Sequence, residues 1–145
     1  MANPVQSLAT LLRFDNIAIA VGDLTMMTAW YEDTLGFVVG ERGTFEAVGA
    51  AYAMLDGAGV RIELVCRAAP RIAVDRTAPP EHLDVLGYKA IVLRTNDLSA
   101  ATASLRQNDV ELVWAELELS PGLHSTLIRD PEGNLLNIFG PRSED

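Results

Sequence analysis

The 145 residues, 49% of them hydrophobic and 21% charged, suit one domain that buries its core without disulfides or a structural metal. A net charge of −9 sets the chain against phosphate backbones and anionic lipid, which are gripped by clustered Lys and Arg, so neither nucleic acid nor a membrane is an expected partner. The single cysteine, Cys66, permits no internal disulfide and reads, within the apolar run IELVC, as a small buried hydrophobe.

The opening MANPVQSLATLLRF has no basic stretch ahead of an apolar one, and no apolar run reaches the ~20 residues of a membrane span. A cytoplasmic location is therefore expected. FDNIAIAV (14–21) alternates as a half-buried strand, and LTMMTAWYEDTLG (24–36) follows as an amphipathic helix with Asp23 at its N-cap and Gly36 closing it. Trp30 and Tyr31 fall on the apolar side of that helix and read as core. Three strands come next, FVVGE (37–41), AAYAMLD (50–56) and VRIELVC (60–66), the last two joined at a DGAG turn. RAAPRIAVDRTAPPEHLDVLG (67–87), rich in Pro and Arg, reads as a connector over the surface, with His82 facing water. Beyond it lie the strand YKAIVLRT (88–95), the helix LSAATASLRQN (98–108), and the strands VELVWAE (110–116), HSTLIRD (124–130) and LLNIF (135–139).

The second series repeats the first. Displacing the sequence by 74 residues, without a gap, lays Ile17 on Ile91, Asp23-Leu24 on Asp97-Leu98, Thr28-Ala29 on Thr102-Ala103, Asp56 on Asp130 and Gly59 on Gly133. These matches coincide with helix caps and hairpin turns, where backbone geometry is most demanding of residue type. The predicted architecture is thus one domain of two modules, about 12–67 and 86–141, joined by a linker at 68–85.

Taken together, FDNIAIAVGDLTMMTAWYEDTLGF, RIELV, AIVLRTNDLSAATASL and RDPEGNLLNIFGP resemble the vicinal oxygen chelate superfamily of glyoxalases, bleomycin-resistance proteins and extradiol dioxygenases. The resemblance covers residues 12–140. It implies an α+β fold in which two tandem βαβββ modules form a curved, cup-shaped mixed sheet with helices on the outer face, and it implies a homodimer. Metal-binding members take a ligand from the first and fourth strand of each module. Those positions are here Asn16, Glu63, Ala90 and Asn137, and the internal repeat independently lays Asn16 over Ala90 and Glu63 over Asn137. Ala90 supplies no donor and the two asparagines are neutral, so a divalent ion would meet one formal negative charge. No metal or other cofactor is expected.

If Arg129 pairs with Asn134 across the DPEG turn, Asn137 lies opposite Thr126 and shares its face with His124. The same register in the first module sets Tyr52 opposite Glu63. Alternation from Ala90 places Arg94 near the rim. Phe45, Tyr52, Trp114 and Phe139 are candidates to stack on a planar ligand, with Trp114 equally readable as core, cup or dimer surface. The expected function is binding or sequestration of a small organic ligand through Asn16, Arg94, Trp114, Thr126, Asn137 and Phe139. The alternative is a metal-independent isomerase, epimerase or cyclase with Glu63 as general base and Tyr52 or His124 as acid, and beyond it a divalent-metal-dependent lyase or dioxygenase. The sequence has no G-x-S-x-G elbow, glycine-rich phosphate loop, C-x-x-C pair or H-E-x-x-H, which removes serine hydrolase, P-loop and zinc-finger readings.

Overall fold

A computed structural model describes residues 7–68 and 71–142. After one helical turn, α1 (Leu8–Leu11), come β1 (Ile17–Ala20), α2 (Leu24–Asp33), β2 (Val38–Phe45), β3 (Ala50–Gly57) and β4 (Val60–Arg67). The second series is β5 (Ala90–Arg94), α3 (Leu98–Gln107), β6 (Glu111–Ser120), β7 (Leu123–Arg129) and β8 (Leu135–Gly140). The fold is α+β, two βαβββ modules in tandem. Each module makes a four-stranded mixed sheet, in the orders β1-β4-β3-β2 and β5-β8-β7-β6. The first and fourth strands of each module run parallel, and the other neighbours are antiparallel.

The two long helices start at equivalent points because the same cap recurs. Asp23 accepts a bond from the Met26 amide and Asp97 one from the Ala100 amide, each at 3.0 Å. Helix α2 stops where Gly36 turns left-handed (φ 76°), which lets the amides of Gly36 and Phe37 fold back onto the carbonyls of Glu32 and Tyr31. Both helices pack on one face of their sheets. The core is continuous across the modules, joining Met27, Tyr31, Leu55, Ile62 and Leu64 of the first to Leu105, Ile128 and Leu136 of the second. Among the described residues, no helix is long and apolar enough to cross a membrane.

Two further contacts lock the halves together. The Tyr31 hydroxyl donates to Asp130 Oδ2 at 2.9 Å, where both side chains are buried. The Glu132 carboxylate accepts bonds from the backbone N–H groups of Gly22 and Asp23, so the tip of the β7–β8 turn caps the entrance to α2 from outside. The connector is anchored by Arg71, whose guanidinium donates to the Arg67 carbonyl at 2.8 Å, and by Arg76, paired with Glu111 at 3.1 Å.

The hairpin registers differ from those the sequence suggested, with unequal consequences. In the first module Ala58 (φ 50°) and Gly59 (φ 78°) form a two-residue turn with Gly57 opposite Val60. Tyr52 then pairs with Val65, and Met54 stands opposite Glu63. This is a slip of two residues, so Tyr52 keeps the face of Glu63. In the second module Gly133 (φ 102°) closes a three-residue loop, with the Asp130 amide bonded to the Asn134 carbonyl. Arg129 therefore pairs with Leu135 and Asn137 with Leu127. That slip is one residue, and it turns Thr126 and His124 to the helix side.

Candidate functional site

On the open face of the first sheet the register aligns Ala18 with Glu63 on β1 and β4, with Asn16 two positions before Ala18. Tyr52 and Met54 of β3 continue this face, with Glu41 and Gly43 of β2 beside them. The Tyr52 ring lies over Gly43, where a β-carbon would sit 2.7 Å from the hydroxyl oxygen, and it stacks on Phe45 at 4.1 Å. Its hydroxyl donates to Glu41 Oε1 at 2.7 Å. That bond, then partial desolvation, then the charges of Glu41 and Glu63 raise the Tyr52 pKa, keeping the phenol protonated and a weak acid.

The equivalent face of the second sheet carries Ala90, Val92 and Arg94 of β5 opposite Leu135, Asn137 and Phe139 of β8. Arg94 is exposed and Phe139 half-buried. Trp114 belongs to this face as well, where its indole N–H donates to Ser125 Oγ at 2.7 Å. Asn137 Oδ1 is shielded from solvent and accepts no hydrogen bond.

Thr126 and His124 stand elsewhere. Thr126 is fully buried under α3, its hydroxyl 2.7 Å from that of Thr102 and accepting from the Glu116 amide. His124 pairs with Gly140 at the end of β7, 3.8 Å from Glu118. Neither faces Asn137, because the Gly133 loop shifted β7 by one residue. Cys66 packs against the core as expected, half-buried, with Sγ 3.4 Å from the Arg71 guanidinium. One lesser expectation changes: His82 is half-buried in a 3₁₀ turn, with Nδ1 shielded from solvent.

A cavity of about 630 Å³ follows the gap where the edge strands β1 and β5 face each other without pairing. Small side chains, Ala18, Ala20 and Ala90, keep it open, and Phe14, Tyr31 and Tyr88 give it aromatic walls. Of the four positions singled out by resemblance, Asn16 and Ala90 line this space, whereas Glu63 and Asn137 do not. No sequence pattern announced it, because it exists only where two strand edges from different modules meet.

These positions do not fit a resident divalent ion. Ala90 offers no donor, the Asn16 amide group donates to Asp15, and Glu63 is the one carboxylate of the set. Among the described residues, no group of three or more His, Cys, Asp or Glu is placed to hold a metal.

The repeat of strand, helix and three strands, with its matched caps, agrees with comparison to known families. Residues 13–138 match the Glyoxalase/Bleomycin resistance protein/Dioxygenase superfamily. The chain belongs to that superfamily. Solved structures of the same fold include a glyoxalase family protein from Bacillus cereus (23% identity, TM-score 0.71, covering 98% of this chain and 100% of that one). Another is the glyoxalase family protein from Enterococcus faecalis (20% identity, TM-score 0.70, covering 88% and 96%). A third is a genomically encoded fosfomycin resistance protein from Listeria monocytogenes (13% identity, TM-score 0.64, covering 89% and 93%). Such identities establish a shared fold. The chain has no match among curated proteins.

Proposed function

We propose that this member of the superfamily binds a small organic molecule along the β1–β5 gap and does so without a divalent metal. The observation that carries the reading is the 630 Å³ cavity, lined by Asn16 and Ala90 where metal-binding relatives carry ligands. Its volume lies within the range of about 300–1,000 Å³ that holds drug-sized ligands. A neutral donor set costs an organic ligand nothing, whereas a divalent ion needs the charge these residues lack.

Catalysis by Glu63 has less support. Its two acid partners are both engaged elsewhere, Tyr52 by Glu41 and His124 on the opposite face. The same reading includes a cytoplasmic homodimer. Leu8, Leu11, Leu12 and Phe14 are 62–71% exposed, an apolar group that a second copy would cover.

The test is a thermal-shift and calorimetric screen of natural products against the wild type and Ala90→Trp. Ligands should raise the melting temperature of the wild type and fail on the filled cavity. Metal analysis after dialysis against Zn²⁺, Mn²⁺ or Ni²⁺ should find no stoichiometric ion. Retention of one tightly held ion per chain would overturn the metal-free reading, and ligand binding untouched by Ala90→Trp would move the site.

A further inference from the structure

Lys89 is the only lysine in the chain, and it lines the β1–β5 cavity. The lining contains this one cation and no carboxylate, in a protein whose net charge is −9. An acidic chain has thus placed a lone positive group in a recess walled mainly by apolar side chains.

The polar groups around it are mostly spent. The Tyr31 hydroxyl and the Asn134 amide nitrogen both donate to Asp130 Oδ2, at 2.9 Å and 2.8 Å, and the Asn16 amide nitrogen donates to Asp15 at 2.7 Å. Tyr88 projects fully into solvent at the mouth. Among the described residues, no hydrogen bond or ion pair holds the Lys89 ammonium. Asp75, the carboxylate whose charge it feels, already accepts bonds from the Thr77 amide and hydroxyl at 2.8 Å and 2.7 Å. Three ammonium hydrogens therefore remain for whatever enters.

We propose that the cavity selects a largely apolar organic monoanion, a carboxylate, seated with its charge on the Lys89 ammonium and its hydrocarbon body among Phe14, Ala18 and Ala90. The inference rests on the small-molecule reading above and adds the charge class of the ligand. Burial of a hydrocarbon body supplies most of the affinity, and the lysine sets orientation and sign. A half-exposed ammonium–carboxylate pair is screened by water, so the expected discrimination is modest.

The experiment titrates the full chain with naphthalene-2-carboxylate and with its neutral isostere, naphthalene-2-carboxamide, by calorimetry. The wild type should bind the carboxylate about three- to fivefold more tightly. Lys89→Met should bring the two affinities together, and Lys89→Arg should restore the preference. Because Lys89 and the N-terminal amine are the only amines, reductive methylation read by mass spectrometry gives a second measure: the carboxylate should slow modification at Lys89. Equal affinities in the wild type, or a preference that survives Lys89→Met, overturns the anion inference. The cavity reading then still stands if Ala90→Trp abolishes carboxamide binding, and falls if it does not. Failure of both compounds to bind counts against the cavity itself and takes the inference with it.

Discussion

Tyr31→Phe isolates one contact between the modules. The Tyr31 ring is fully buried and packs edge-on against Trp30 and Phe37, with centroids at 5.0 Å and 5.9 Å, and phenylalanine preserves both arrangements. Only the 2.9 Å bond to Asp130 is lost. Asp130 is 1% exposed, and its carboxylate keeps the amides of Glu132 and Asn134 and the Asn134 side chain as donors. It loses one donor of four rather than becoming an isolated charge. A buried hydrogen bond to a charged acceptor contributes about 1.5–3 kcal/mol. At about 2–4 °C per kcal/mol for a chain of this size, the melting midpoint should fall by roughly 4–10 °C.

The same contact has a pH signature. Burial first, then the charge of Asp130, then the hydrogen bond push the Tyr31 pKa well above its ordinary value. A folded-state pKa above the unfolded one gives stability that is fully present below about pH 10 and is lost as the pH rises towards the folded value. The gap between wild type and Tyr31→Phe should therefore be constant near neutrality and shrink above about pH 10. In the native protein Tyr31 should not contribute to the phenolate absorbance until the chain unfolds, leaving Tyr52 and Tyr88 of the three tyrosines. Urea denaturation followed by tryptophan fluorescence measures the stability, and alkaline difference spectroscopy counts the phenolates. A variant within about 0.5 kcal/mol of wild type, or three phenolates in the folded state, would refute the reasoning.

Other substitutions probe separate links. Glu132→Ala removes the carboxylate that holds the Gly22 and Asp23 amides and should cost about 1–2 kcal/mol in the urea midpoint, with Glu132→Gln intermediate. Gly133→Ala forces a side chain onto φ 102° and sets a β-carbon 3.1 Å from Arg76 Nε, so a loss of about 1–3 kcal/mol is expected from the same assay. Gly49→Ala, with φ 63° and open surroundings, should cost only about 1–2 kcal/mol. Thr126→Val strands the Glu116 amide and removes one partner of the Thr102 hydroxyl, which keeps its bond to the Leu98 carbonyl, and should cost about 1–3 kcal/mol in the thermal midpoint while leaving ligand affinity unchanged. A large loss of ligand affinity in Thr126→Val would contradict the observed register.

Much of the fold was legible because each element carries local chemistry that does not depend on its neighbours. Asp23 and Asp97 cap helices wherever those helices lie, and Ile17, Ile19, Ile62 and Leu64 alternate inward because a strand's side chains alternate. The open-face positions Asn16, Ala90, Glu63 and Asn137 follow from the same alternation. His124 and Thr126 were misplaced because strand register hangs on one turn. Gly133 can close a three-residue or a four-residue loop, and the choice inverts every side chain on β7. Trp114 was ambiguous for a related reason, since β6 changes register on both sides of it.

The sequence by itself determined the duplication, the caps, the superfamily and the poverty of metal donors, since all are properties of residue type and spacing. Tertiary structure alone decided that Tyr31 meets Asp130, that Glu132 caps the helix of the other module, and that Lys89 lines the gap between the two sheets. The physical reason is range. Caps, turns and alternation act over a few residues, whereas the gap arises where the edges of two independently paired sheets come together more than 70 positions apart in the chain, and no local pattern encodes what one edge will present to the other.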